Sequence, residues 1–339
     1  MDPLALALTP QVGPRRLMQA LQSQSLSPEA VEETLGPQIG AEYRKVLRQG
    51  RAEREREQAE KLGIRLVGLW EAGYPEVLRQ LESPPSVLYL RGEIPPFERS
   101  IGVVGTRRAS AWASDWARKV ALELAQAGVS VISGLARGID TAAHQGNLEG
   151  GANTLGVLGS ALDQIYPPEN RPLAQKMSLL SEFPLGTPPQ APLFPRRNRL
   201  IAALARSVLV VEAGVKSGSL ITAKFALELG RDVLAVPGRP GDPFSQGCNR
   251  LIQDGAGLVL GAEDVLGNLG LRVRPRPAVE LEGPEAALHR ALLELGQALP
   301  DDLAQALGLS PAEVLSHLTL LELKGLALAL PGGRYGPGA

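Results

Sequence analysis

FPRRNRLIAALARSVLVVEAGVKSGSLITAKFALELG, Phe194 to Gly230, decides the fold: an apolar, β-branched run, SVLVVEA, stands between an arginine-rich segment and a Gly/Ser turn that opens a helix. A run apolar on both faces suits a strand covered on both sides, as in a parallel sheet. Arg196, Arg197 and Arg199 precede the strand, and Lys216, Ser217, Gly218 and Ser219 follow it. In a parallel α/β sheet such turns lie at the carboxyl edge, where exposed helix N–H groups and the helix dipole favour anions. The segment therefore reads as a phosphate or nucleic-acid cradle.

Outward from this stretch the same alternation continues. SVLYL, IGVVG, VSVIS, NTLGVLG, SLLSEF, DVLAVPG and AGLVLG are further strand candidates, and helical patterns run over Trp112–Ala127, Ile139–Glu149, Arg199–Arg206, Leu220–Leu229 and Asn249–Asp254. The expected fold class is α/β: an extended, doubly wound Rossmann-like domain over residues 66–270. Residues 1–65 read as a small helical domain of the helix-hairpin-helix or SAM-like kind, 271–284 as a Pro-rich charged linker, and 285–339 as a winged helix.

Near the amino terminus, a Pro/Gly turn at Pro10–Pro14 separates two short helical patterns. Such a hairpin can offer backbone N–H groups to a phosphate, or it can be an ordinary turn in a small bundle that needs Gly13. Ser27-Pro28-Glu29 looks like an N-cap with proline at the first helical position, and the mixed charges of residues 41–63 read as a solvated helix face. In the tail, Ser310, Pro311 and Glu313 form a capping box at the start of a third helix, before a LALAL strand and a GGRYG hairpin.

Length and composition bound the function. A chain of 339 residues calls for two or three domains, and 44% hydrophobic residues with 4% aromatics is ordinary for a globular protein. A net charge of −1 argues against coating duplex DNA by bulk charge, so any nucleic-acid site must be local. Cys248 is the single cysteine, which excludes an internal disulfide, and MDPLALALTP lacks the basic region of a secretory signal. No apolar run approaches the roughly 20 residues of a membrane span, and the expected compartment is the cytoplasm.

Four turns carry the candidate chemistry. In IGVVGTRRAS, Gly105 allows close backbone approach, Thr106 offers a hydroxyl and Arg107 can fork two N–H groups onto a phosphate or a base edge. In SGLARGIDTAAH, Ser133, Gly134 and Gly138 favour a tight turn, while Arg137 and Asp140 can pair at the helix start. PRRNR and VKSGS complete the set, and between Glu182 and Glu212 there are four arginines and no acid. Asn198 and Asn249 can read base edges or order loops. Glu212 reads as a partner of Lys216 in preference to a general base.

Enzyme signatures are weak. Neither GxxxxGK[ST], GxGxxG nor GxSxG occurs, and the three histidines, His144, His289 and His317, form neither a triad nor a metal cluster in sequence. No cofactor, metal or catalytic residue is expected.

VVGTRRAS, VISGLARGIDTAAH, FPRRNRLIAALA, VVEAGVKSGSLITAKFALELGRDVLAVPG and GCNRLIQDGA, in that order, resemble the DprA/Smf family of bacterial DNA-processing proteins over about Leu78 to Leu266. The resemblance implies a non-enzymatic binder of single-stranded DNA that forms homodimers and delivers RecA recombinase onto incoming strands in natural transformation. It implies a Gly-Ser/Thr-Arg motif at Gly105, Thr106 and Arg107, and a basic pocket around Arg197, Arg199 and Lys216. Gly134, Asn198, Ser217, Gly218, Ser219 and Asn249 are expected to accompany them, with Phe194 the nearest aromatic for stacking. The alternative is a nucleotide-processing hydrolase of the lysine-decarboxylase-like Rossmann group. That group carries PGGxGTxxE where this chain has EAGVKSGSLITA, without the glutamate.

Overall fold

A computed structural model describes residues 2–23, 25–271, 281 and 283–337. The chain divides into two compact units near residue 273. The linker expected over 271–284 lies mostly outside the described residues.

The first unit opens with five helices: α1 (Pro3–Ala7), α2 (Pro14–Leu21), α3 (Pro28–Leu35), α4 (Pro37–Arg48) and α5 (Arg51–Lys61). Ser27 caps α3 with Pro28 in the first turn, as its sequence requires. Gly50 breaks the charged stretch into α4 and α5 by adopting a left-handed conformation, φ 56°. The charged surface of α5 is not wholly solvated. Glu55 is buried and accepts hydrogen bonds at 2.8 Å from the Tyr89 hydroxyl and from the Leu185 amide, tying α5 to the sheet. The helices share one apolar core with Val87, Tyr89, Leu158 and Leu179 of the α/β region.

The sheet comprises β1 (Arg65–Gly68), β2 (Val87–Arg91), β3 (Ser100–Val104), β4 (Ser130–Ser133), β5 (Leu155–Val157), β6 (Ser178–Ser181), β7 (Ser207–Val210), β8 (Asp232–Ala235) and β9 (Gly257–Leu258). The intervening helices are α6 (Glu76–Arg79), α7 (Ala111–Gln126), α8 (Ile139–Glu149), α9 (Arg171–Ala174), α10 (Leu193–Leu204), α11 (Ser219–Glu228), α12 (Gln246–Gln253) and α13 (Ala262–Asn268). Strand order is β1-β2-β6-β5-β4-β3-β7-β8-β9. β2 is antiparallel to both its neighbours, β1 and β6, and the strands from β3 to β9 are mutually parallel. This is the expected extended Rossmann-like sheet, with β1 as an added strand whose four residues carry too little pattern to be read.

Alternation on the central strands fixes the two layers. Val208 and Val210 face the core shared with Leu200 and Ile201 of α10, Ala223 of α11 and Cys248 of α12, while Leu209 and Val211 face Ala113 and Val120 of α7 and Val265 of α13. The order reverses at β3, whose neighbours are β4 and β7. The crevice outside the carboxyl ends of β3 and β7 is therefore the topological switch point, where open α/β sheets bind ligands.

The second unit holds α14 (Gly283–Leu295), α15 (Pro300–Leu307) and α16 (Pro311–Leu323), with a hairpin of β10 (Ala327–Leu330) and β11 (Arg334–Pro337). The Ser310–Glu313 capping box forms at the start of α16. Leu288, Leu292, Leu303, Val314, Leu318 and Leu321 make its core.

Candidate functional site

A cleft of about 750 Å³ opens at the switch point. The turn after β3 supplies Gly105, Thr106, Arg107 and Arg108; α10 supplies Phe194, Arg197 and Asn198; the turn into α11 supplies Ser217, Gly218 and Ser219. Asp140 is the single acid in its lining against three arginines, so the cleft is electropositive although the chain as a whole is not.

Arg107 is exposed, and its guanidinium carbon lies 5.1 Å from the centroid of the Phe194 ring. Phe194 in turn contacts Tyr166, with centroids 5.8 Å apart. The arrangement joins a cation to a small aromatic platform, the two ingredients that single-strand binders combine. Tyr166, from the loop IYPPEN before α9, was not legible in sequence; its only signal is an aromatic ring in an otherwise polar, Pro-rich segment.

Thr106 is fixed by its backbone: its amide donates to the Glu212 carbonyl at 2.7 Å, linking the two switch-point turns. Gly105 must be glycine because a Cβ there would stand 2.5 Å from Ile139 Cγ1. At Gly134 a Cβ would stand 2.4 Å from Arg197 Nη2 and 2.7 Å from Asp140 Oδ2, so this glycine makes room for the charged groups beneath the cleft.

Arg197, expected in the basic pocket, lines the cleft but is buried in its floor. It donates to the Gly134 carbonyl at 2.8 Å, to the Val157 carbonyl and to Asn198 Oδ1 at 3.1 Å, thereby joining the carboxyl ends of β4 and β5. Burial pulls its pKa down to about 10, with Asp140 opposing and Arg107 adding to the fall, so Arg197 remains charged at neutral pH. Asp140 accepts from the Gly134 and Ala136 amides at 3.1 and 3.3 Å; burial holds its carboxyl above the usual range against the pull of Arg197. Arg137 pairs with Glu169, not with Asp140.

Arg199 points elsewhere. Its guanidinium lies 2.5 Å from the buried Glu182, which also takes Arg196 at 2.8 Å. Burial lowers the Arg199 pKa and Glu182 opposes the shift. The glutamate that bounds the acid-free run thus engages two of its four arginines and offsets one positive charge, and Arg199 does not line the cleft. Moreover, all three arginines lie within α10, which begins at Leu193, six residues earlier than its apolar pattern suggests.

Asn198 donates to the Gly218 carbonyl at 3.4 Å and orders the turn into α11. That turn places the Ser217 and Ser219 hydroxyls 2.8 Å apart at the N-terminus of a ten-residue helix. Lys216 is exposed immediately before the residues that line the cleft, and it forms no ion pair among the described residues. Glu212 does not pair with Lys216. It accepts from the Ser110 amide at 2.9 Å and the Ser110 hydroxyl at 2.8 Å, fixing the cap of α7. Asn249 does not line the cleft; its amide oxygen and nitrogen both bond the Gly238 backbone at 3.0 Å and order that loop. Two residues expected at the site, Arg199 and Asn249, thus do not line the cleft and are engaged within the fold.

A doubly wound sheet with an electropositive, aromatic-edged cleft at its switch point defines a Rossmann-type protein built to receive an anionic ligand. The model of the DNA recombination-mediator protein A family matches residues 65–270, and that of the DprA winged helix domain matches residues 272–333. The chain belongs to the DNA recombination-mediator protein A family. It is 40% identical to Protein Smf of Escherichia coli over 276 residues, covering 77% of this chain and 74% of that protein. It is 44% identical to Protein Smf of Synechocystis over 206 residues, 58% of this chain and 52% of that longer protein. The X-ray structure of DNA processing protein A from Streptococcus pneumoniae superposes with a TM-score of 0.69 at 31% identity, covering 79% of this chain and 98% of that one. A Helicobacter pylori DNA processing protein A, solved for its single-stranded DNA binding mode, matches with a TM-score of 0.54 at 28% identity over 60% of this chain and 95% of that one.

Proposed function

We propose that this chain binds single-stranded DNA in the switch-point cleft and, as a cytoplasmic homodimer, helps place RecA recombinase on strands taken up in transformation, without catalysing a reaction itself. The observation that carries the reading is Arg107, exposed over Phe194 beside the Ser217–Ser219 turn. A phosphate fits the guanidinium and the start of α11, while an unstacked base fits the Phe194–Tyr166 edge. Sequence similarity to DNA processing proteins and structural similarity to one described with single-stranded DNA support the same ligand.

The second unit supports partner contact more than duplex reading. From Glu285 onward six acids face Arg290, Lys324 and Arg334, and Lys324 is already paired with Glu285. A major-groove helix needs basic phosphate contacts. As for base release by a hydrolase, Glu212 lies outside the cleft lining with both carboxylate oxygens engaged by Ser110, which favours binding over catalysis.

Competition between matched single-stranded and duplex DNA tests the binding step; RecA filament growth on strands coated with single-strand binding protein tests the mediator step. Preference for single strands and faster filament growth are expected. Equal affinity for both DNAs, or base release from nucleoside monophosphates, would overturn the reading.

A further inference from the structure

A second cleft, also about 750 Å³, lies on the other side of the turn after β3, between the start of α7 and the loop that joins β8 to α12. Trp112 forms part of one wall and Phe244 part of the other, and they are 57% and 48% exposed, unusual for large rings in a chain so poor in aromatics. Trp112 is braced by Trp116, with ring centroids 6.4 Å apart. Arg239 lies on the rim, exposed and without an ion pair among the described residues. The lining also holds two carboxylates, Glu212 and Asp242. Glu212 is held by Ser110, and Asp242 accepts from the Phe244 amide and the Ser245 hydroxyl at 3.0 Å, so both are positioned rather than free to swing.

Stacking rings on two walls suit a flat π-system, and fixed carboxylates in the same lining accept hydrogen bonds from exocyclic amines, as they do from cytosine N4. The connection to the first cleft is short: Arg108 lines the first, Ser110 the second, two residues along the same turn. Two residues of extended chain span only about 7 Å, so one strand can reach both. We propose that the second cleft is a nucleobase subsite for the strand that leaves the Arg107 cleft, selecting an amine-bearing base between Trp112 and Phe244. This rests on the reading of the first cleft as a single-strand site.

The test uses the full chain, fluorescence anisotropy and oligodeoxycytidylates of about 4 and about 12 nucleotides, both within the range of single-strand site sizes. Trp112→Ala and Phe244→Ala are each expected to weaken the longer oligomer by roughly 5- to 150-fold, the range that loss of one stacked base produces, and to leave the shorter one unchanged. The longer oligomer is also expected to quench tryptophan fluorescence in the wild type more than in Trp112→Ala, and to bind more tightly than oligothymidylate of equal length. Unchanged affinity of both variants for the longer oligomer overturns the subsite; if Arg107→Ala still weakens both lengths, the first cleft stands. If Arg107→Ala also leaves both lengths unaffected, the underlying reading fails instead. Both rings are half exposed, so melting temperatures of the variants should match the wild type, and a large drop would assign the rings to stability and also overturn the subsite.

Discussion

Replacing Arg197 by methionine separates a structural arginine from a DNA ligand. Methionine retains much of the aliphatic volume but leaves the Gly134 and Val157 carbonyls without their guanidinium donor and Asp140 without its compensating charge. Each buried acceptor left unsatisfied costs about 1–3 kcal/mol, and breaking a buried charged network costs about 3–5 kcal/mol. The two estimates overlap, so a loss of roughly 3–5 kcal/mol is expected. For a unit of this size that corresponds to a melting temperature lower by roughly 6–20 °C. Differential scanning fluorimetry reads the shift, and anisotropy with single-stranded DNA, run well below the variant's melting temperature, reads the affinity. A variant that melts like the wild type yet loses DNA affinity would refute the assignment and return Arg197 to the ligand.

Two further perturbations probe the same framework. His144 is wholly buried, with Nδ1 2.7 Å from Thr154 Oγ1, and burial drives its pKa down to about 3. The folded state therefore keeps it neutral while the unfolded chain takes up a proton below about 6.5; its contribution is complete above pH 6.5 and is lost as pH falls towards 3. Denaturant midpoints of the wild type should fall across that window, and those of His144→Gln should fall less steeply. Glu182→Gln leaves Arg199 buried without its counter-charge and should destabilise by about 3–5 kcal/mol, whereas Arg196→Ala, at the exposed end of the same cluster, should cost at most about 1 kcal/mol; chemical denaturation of the pair distinguishes them.

Period and punctuation made the sheet legible. SVLVVEA is apolar on both faces because α10 and α11 cover one side and α7 and α13 the other, and the turns that follow β3, β4 and β7 carry the Gly and Ser residues that tight strand-to-helix turns need. The start of α10 was hidden because Pro195 and the polar PRRNR run look like loop, although proline is tolerated in a first helical turn. What pattern cannot show is pairing across the fold. Ser110 and Glu212 meet from turns 102 residues apart, and Glu182 receives two arginines of α10 from the end of another strand. Arg107, Phe194 and the Ser217–Ser219 turn were legible as separate features; that Tyr166 completes their edge, while Arg199 and Asn249 turn away, follows from tertiary packing alone.

The central claim is that an exposed Arg107 at the switch point anchors single-stranded DNA. The most direct measurement is anisotropy of wild type and Arg107→Ala with matched single-stranded and duplex DNA across a salt series. The account predicts a single-strand preference in the wild type, affinity at least about tenfold weaker in the variant, and a smaller salt slope by close to one phosphate contact, with unchanged melting because the side chain is exposed. Equal affinity and equal salt slope for the two proteins would contradict it.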